Sequence, residues 1–212
     1  MTSVSFTDHI LLAILAIVWC TLHSWLISVS LTEYLKKRLG SAYRFYRLFF
    51  NGFSLLSLAV VIWYRYLIKS EIIFDWDGYL RMVQITMIAL GVVLFLLGAK
   101  KYDARRFLGL TQLKEDVSRQ GLTETGELDT SGILQVIRHP WYASLLLLIW
   151  AMPLDMAGLI LNIVFTLYLL IGAWLEERKL LREFGGAYSH YQQNVSMLIP
   201  VRWIKMKVHK SN

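Results

Sequence analysis

Residues 138–177 read RHPWYASLLLLIWAMPLDMAGLILNIVFTLYLLIGAWLEE. The stretch opens on Arg138-His139-Pro140-Trp141-Tyr142, runs through apolar sequence to Trp174-Leu175, and closes on Glu176-Glu177. Ionisable residues therefore stand at both mouths of an apolar run, where a chain that only had to cross a bilayer has little reason to place them. Pro153-Leu154-Asp155-Met156 puts a proline and an acid in the middle of the run. These residues predict a tight helical hairpin instead of one long helix, with arms at about 141–153 and 157–175. The two mouths then become neighbours in space although they are distant in sequence.

Three further apolar segments lie upstream, at about 10–30, 48–68 and 82–99. Each approaches the ~20 residues needed to cross a bilayer. Of the 212 residues, 56% are hydrophobic and only 17% charged, which excludes an ordinary soluble domain. The expected fold class is all-α: a polytopic membrane protein of about five transmembrane helices, the last two forming the hairpin. The chain has no room for a second globular domain, so 1–212 is read as one integral-membrane domain. Cys20 is the single cysteine, so no intrachain disulfide is possible and the redox compartment stays open. Residues 1–9 hold Asp8 and His9 but no Lys or Arg, and the apolar run that follows exceeds a usual signal-peptide core. The first segment is expected to be a retained helix. Arg65, near the end of the second segment, is expected to snorkel to the interface.

Loop charges predict orientation. Residues 31–47 carry Lys36, Lys37, Arg38, Arg44 and Arg47 against Glu33. Residues 69–81 carry Lys69 and Arg81 against Glu71, Asp75 and Asp77. Residues 100–140 and the tail after Glu177 are again basic. Positive-inside then gives an extracytoplasmic N-terminus and a cytoplasmic C-terminus, a parity that five crossings satisfy. Arg138-His139 and Glu176-Glu177 both face the cytoplasm in this reading. The net charge of +7 is assigned to topology and to anionic lipid headgroups, and nucleic acid is not expected as a partner.

In the tail, Leu181, Phe184, Tyr188 and Tyr191 recur at spacings of three, four and three, one face of a helix. Gly185-Gly186 predicts a break in it. The face suits either an interfacial helix on lipid or a cover over the open end of the hairpin.

Pro140 suits the first turn of a helix, which leaves Arg138 and His139 just before it, beside free amides that attract anions. Arg138 offers a planar fork for a carboxylate. Glu176 and Glu177 offer acceptors for hydroxyls, an amine or a sulfonium, and Trp141, Tyr142 and Trp174 could stack on a base or sit beside a cation. A zwitterionic nucleoside amino acid satisfies both ends. The same residues also fit a bland reading: a positive-inside arginine, aromatic-belt tryptophans, and a surface Glu176–Lys179 pair three residues apart.

Arg138-His139-Pro140-x-Tyr142, an apolar hairpin, Glu176-Glu177, Phe184-Gly185-x-x-Tyr188-x-x-Tyr191 and Leu198-Ile199-Pro200 together resemble the isoprenylcysteine carboxyl methyltransferase superfamily. That group includes phospholipid methyltransferases and the bacterial NnrU-like and methanethiol S-methyltransferase-like proteins. The resemblance covers about residues 107–200, and Gly132 also fits. Ile133-Leu134-Gln135 departs from the Pro-Tyr-Arg that follows this glycine in the family. The resemblance implies S-adenosylmethionine as methyl donor, with Arg138, His139, Tyr142, Glu176 and Glu177 lining its pocket. Arg138 is the expected partner of the methionine carboxylate, and Glu177, ahead of Glu176, of the ribose hydroxyls or amino group. Residues 100–212 then form the cofactor side and the three helices of 1–99 the acceptor side. No metal is implied, and the five histidines are scattered.

Methyl transfer from a sulfonium is an in-line displacement in which proximity is the main catalytic term. His23 and Arg44 are the candidates for an assisting group. His23-Ser24, Tyr43-Arg44-x-x-Arg47-x-x-x-Asn51 and Phe107-Leu108-Gly109-Leu110-x-Gln112 look more like the NnrU-like and methanethiol branch than the prenyl-protein branch. The expected acceptor is therefore a small thiol or a lipid-like molecule, isoprenylcysteine-type acceptors included, in a bacterial inner membrane. Arg-His-Pro-x-Tyr also occurs in sterol reductases, so an NADPH-dependent membrane reductase is the alternative enzyme. A non-enzymatic subunit, with His23 and His139 as conceivable haem ligands, is the other alternative.

Overall fold

The computed structural model describes residues 6–101, 108–110, 113 and 128–211. Helices α1 (Phe6–Leu26), α2 (Val29–Leu39), α3 (Tyr46–Leu67) and α4 (Leu80–Ala99) come first. After residue 128 follow α5 (Pro140–Trp150), α6 (Met156–Phe184), α7 (Gly186–Asn194) and α8 (Val201–Ser211). Strands β1 (Ile72–Phe74) and β2 (Leu154–Asp155) pair antiparallel. Four apolar helical stretches are long enough to cross a membrane: Phe6–Leu26, Val29–Leu67, Leu80–Ala99 and Met156–Phe184. Large side chains along them stay bare, Leu55 at 69%, Leu56 at 70% and Met82 at 69% exposure, as a lipid-facing surface requires. The chain is an all-α, multi-pass integral membrane protein.

The hairpin divides where Pro153 predicts. Its first arm, α5, is shorter than the reading of 141–153: 11 residues rise about 16 Å, against a hydrocarbon core of roughly 30 Å. Pro140 stands at its first turn as expected, and the turn into β2 ends it.

Contacts divide the chain into two compact units. One groups Met1–Asp75, Asp103–Leu122 and Pro153–Phe165; the other groups Trp76–Tyr102, Thr123–Met152 and Thr166–Asn212.

In the first unit, Leu12, Ala16, Val61, Ile68, Ala157 and Leu161 form a buried core. Trp19 Nε1 donates to the Ser54 carbonyl at 3.2 Å and to Ser57 Oγ at 3.1 Å, tying α1 to α3. The expected basic loop 31–47 is structured instead. Ser28 caps α2 by accepting from the Leu31 amide, and α2 ends at Gly40. A 3-10 turn, Gly40–Phe45, then leads into α3. Arg65 does not simply snorkel: its Nη2 donates to Asp155 Oδ1 at 2.8 Å. The same oxygen accepts from the Gly158 amide at 2.7 Å, so Asp155 caps α6 and anchors α3 at once. Asp155→Ala removes a helix cap and half an ion pair. The expected loss is about 2 kcal/mol, read as a lower unfolding midpoint in detergent, because Arg65 is partly solvated and a cap alone accounts for ~1 kcal/mol.

In the second unit, α4 and α5 pack closely through small residues, the usual device of membrane helix pairs. Ser144 Oγ donates to the Gly91 carbonyl at 2.7 Å and Gln84 Nε2 to the Ala151 carbonyl at 2.9 Å. Trp141 stacks on Phe95 with centroids 5.8 Å apart, and its Nε1 donates to the Phe95 carbonyl at 3.0 Å. A Cβ added at Gly98 would lie 2.6 Å from the Trp141 ring, so only glycine permits this approach. The contacts run α4 and α5 antiparallel and place residues 138–139 at the C-terminal end of α4.

Candidate functional site

The site begins at the N-terminus of α5. His139 is the residue before the first turn, with φ −123° and ψ 71°. The stretch leading into it is held as a short parallel bridge, Ile137 beside Ser196. The Arg138 amide donates to the Ser196 carbonyl at 2.9 Å and the His139 amide to the Met197 carbonyl at 3.1 Å. These bonds engage the amides of Arg138 and His139 themselves, just before the first turn of α5. They also fasten the segment after α7 across the site.

Arg138 and Glu177 form the centre. Arg138 Nε and Nη2 each lie 2.6 Å from Glu177 Oε1, and both side chains are about nine-tenths buried. Arg138 Nη1 donates to the Gln192 carbonyl at 3.1 Å and also to the Val195 carbonyl. Arg202 Nη1, from α8, donates to the same two carbonyls. Glu177 is fully engaged: His139 Nε2 lies 3.2 Å from Oε1, and Gln192 Nε2 donates to Oε2 at 2.9 Å. Two charges held this far from water persist only when matched and hydrogen-bonded on every side, as these are.

His139 is 3% exposed, and its second nitrogen, Nδ1, stands 3.7 Å from Glu176 Oε2. Glu176 itself is 30% exposed and has no closer polar partner among the described residues. Tyr142 meets the His139 ring edge-on at 5.4 Å and rests over Gly172 of α6. The five side chains singled out from the sequence, Arg138, His139, Tyr142, Glu176 and Glu177, thus come together. Trp141 and Trp174 do not join them. Trp141 is spent on α4, and Trp174 is half-exposed beneath the Arg178 guanidinium, 4.7 Å away.

The tail closes the cluster. Gly185, with φ +53°, ends α6 and starts α7, as the double glycine predicts. Tyr188, Tyr191 and Val195 form a buried core with Leu180, Leu181 and Phe184 against it. Tyr191 Oη donates to the Leu134 carbonyl at 2.5 Å. Ile133-Leu134-Gln135, the departure from the family pattern, is a 3-10 turn that supplies this acceptor. Lys101 Nζ secures the turn's approach through Asp129 Oδ2 at 3.1 Å.

Tyr188 stands on a packing face and in the Phe184-Gly185-x-x-Tyr188-x-x-Tyr191 motif, but the sequence gives it no role in the pocket. It is 1% exposed, and its hydroxyl has no hydrogen-bond partner among the described residues. Burial, then the Glu177 charge, pushes its phenol far above the ordinary range, so it is a neutral donor. A buried hydroxyl without a partner costs about 1–3 kcal/mol, which marks the spot as one where a polar group belongs. Gln192, one turn beyond Tyr188, was likewise not singled out. It lies off the Leu181, Phe184, Tyr188, Tyr191 face, and nothing in the sequence pointed to it.

The acceptor-side candidates lie in the first unit. His23 Nδ1 is 3.1 Å from Ser54 Oγ, and its ring sits between Trp19 at 4.9 Å and Phe50 at 5.0 Å. Arg44 is exposed, with its guanidinium 4.9 Å over the Phe45 ring. Gly109 backs onto Arg47 and the Leu48 amide, while Phe107 and Gln112 of the same motif lie outside the described residues.

The model of the NnrU protein family matches residues 11–207 of this chain. The chain belongs to the NnrU family. Among curated relatives of this NnrU protein, methanethiol S-methyltransferase 1 of Bradyrhizobium diazoefficiens is 32% identical over 71% of the chain and 53% of the relative. Methanethiol S-methyltransferase of Crocosphaera subtropica is 30% identical over 70% of the chain and 58% of the relative. That of Pseudomonas sp. strain GM41(2012) is 40% identical over 41% of the chain and 34% of the relative. The matches therefore span between a third and somewhat over half of these relatives' lengths. No solved structure matches the chain.

Proposed function

We propose that this NnrU-family protein is a membrane methyltransferase that uses S-adenosylmethionine and methylates a small thiol, of which methanethiol is the member named in its relatives. The observation that carries the reading is the cluster at the mouth of the apolar hairpin: a buried Arg138, a buried His139, two carboxylates and one unpartnered hydroxyl. The site is assigned to the cytoplasmic face of a bacterial inner membrane, with the N-terminus outside.

The donor set fits the cofactor. S-adenosylmethionine supplies, when bound, a methyl group on a sulfonium together with a carboxylate, an amine and ribose hydroxyls. Arg138 is the carboxylate partner, provided it exchanges part of its hold on Glu177 or the carbonyls. Glu177 has both oxygens occupied, which shifts the contact with amine or ribose to Glu176, the less engaged carboxylate. His139 links the two carboxylates and orients them. Tyr188 donates its hydroxyl hydrogen to an acceptor on the cofactor. Tyr142 offers a ring face beside His139.

Orientation of the thiol sulfur toward the methyl group carries most of the rate in this chemistry. Of the two candidates His23, fixed by Ser54 and two rings, is the more preorganised, while Arg44 lies exposed on Phe45.

Purified protein should bind S-adenosylhomocysteine in isothermal titration and transfer radiolabelled methyl from S-adenosylmethionine to small thiols ahead of prenylcysteine analogues and phospholipids. Absence of binding in detergent and in nanodiscs alike would sink the proposal. Tyr188→Phe separates function from packing. It removes only the unpartnered oxygen, so the cofactor-free protein should become more stable by about 1–3 kcal/mol. Affinity for S-adenosylhomocysteine should fall about tenfold, the equivalent of one hydrogen bond lost.

A further inference from the structure

Helix α2 carries a second feature that the proposed reaction does not use. Leu31, Leu35 and Leu39 recur every four residues and line one side of a cavity of about 510 Å³. Trp25, Phe45 and Phe49 are among the residues that complete its apolar wall. Tyr46 Oη closes the wall by donating to the Leu26 carbonyl at 2.6 Å. The volume lies within the roughly 300–1,000 Å³ of ordinary ligand sites. A one-carbon thiol would leave most of it empty. Helix α1 ends at Leu26 and α3 begins at Tyr46, so the cavity sits where two spans meet one membrane face.

Its rim is cationic. Lys36, Lys37 and Arg38 close α2, and Arg44 follows in the 3-10 turn. At helical spacing, Arg38 and Lys36 flank the leucine stripe on its two sides. None of these four cations pairs with a carboxylate among the described residues. Arg38 donates to Tyr34 Oη at 3.3 Å, and Arg44 rests on Phe45. Glu33 is the only acid in 31–47.

We propose that this cavity holds an acyl chain of an anionic phospholipid whose phosphate rests between Lys36 and Arg38. Apolar volume alone accepts any lipid tail. Unpaired cations at headgroup level select the charge. A choline headgroup would bring its own cation against the same two side chains, so a zwitterionic lipid of equal length fits the cavity but not the rim.

The test is native mass spectrometry of the full-length protein, delipidated in detergent and re-equilibrated with equimolar phosphatidylglycerol and phosphatidylcholine of identical chains. The wild type should retain phosphatidylglycerol about tenfold over phosphatidylcholine. Lys36→Ala/Lys37→Ala/Arg38→Ala should bring the two lipids near parity. Leu35→Trp, which fills the cavity and leaves the charges, should lower occupancy by both. If the triple variant does not fold, Lys36→Gln alone should cut the preference two- to threefold. Equal retention by the wild type overturns the proposal. So does a preference that survives charge removal, or an occupancy that Leu35→Trp leaves unchanged.

Discussion

Glu177→Ala is expected to destabilise the protein by about 3–5 kcal/mol and to abolish cofactor binding. The stability loss follows from what remains, not from what is removed. Arg138 is 8% exposed at its side chain, and without Glu177 its charge stays buried with only carbonyl partners. Breaking one half of a buried pair costs that range because the other half cannot return to water. Replacing both halves is a different experiment. Arg138→Met/Glu177→Leu removes both charges and keeps the volume, a change that is commonly neutral or stabilising. The Gln192 and Val195 carbonyls stay satisfied in that variant, because Arg202 donates to both. His139 Nε2 and Gln192 Nε2 lose their Glu177 partner in both variants, so the double variant should regain only the part of the unfolding midpoint owed to the stranded Arg138 charge, and still fail to bind S-adenosylhomocysteine. Thermal unfolding in detergent and titration with the ligand read the two quantities separately. Recovery of binding along with stability would show that the pair is a structural staple only.

Much of this arrangement was legible in the sequence because membrane helices announce themselves by apolar length and by what interrupts it. Pro153 and Asp155 marked the turn of the hairpin, and the turn brings Arg138 to Glu177. Gly185 marked the end of α6, and the Leu181, Phe184, Tyr188, Tyr191 face marked the packing of α7. What the sequence hid has tertiary causes. The leucine stripe of α2 was masked by five cations that fit a topological loop equally well. Arg65 near a helix end looks like a snorkelling residue until a fold sets Asp155 beside it. Trp141 and Trp174 carry the same aromatic signal, but only packing shows that one is locked against Phe95 and the other lies under Arg178. Glu176 and Glu177 are adjacent and chemically alike. The difference between them, one saturated by three residues and one nearly unengaged, arises from the helical rotation between neighbours and from what each then meets.

Gly98→Ala should test whether the precision of the site is set by the α4–α5 interface. The new Cβ would lie 2.6 Å from Trp141 Cδ1 and 2.8 Å from Nε1, distances that no side chain tolerates. Trp141 cannot yield freely, since its indole N–H is bonded to the Phe95 carbonyl and its ring is stacked on Phe95. The N-terminus of α5 must move instead, or the indole must surrender its bond. Overpacking of this kind costs about 1–3 kcal/mol. The functional loss should exceed the stability loss. Trp141 is three residues from Arg138 and two from His139, so a shift of the helix start moves both. A displacement of ~1 Å at reacting groups costs on the order of 10²-fold in rate. Gly98→Ala is therefore expected to fold, to bind S-adenosylhomocysteine more weakly, and to transfer methyl about a hundredfold more slowly. Adding Trp141→Phe, which removes the indole nitrogen and narrows the ring, should restore a large part of the rate. Wild-type activity in Gly98→Ala alone would mean that α5 absorbs the strain without moving its first turn, and that Arg138 and His139 are held by the Ser196 and Met197 carbonyls instead.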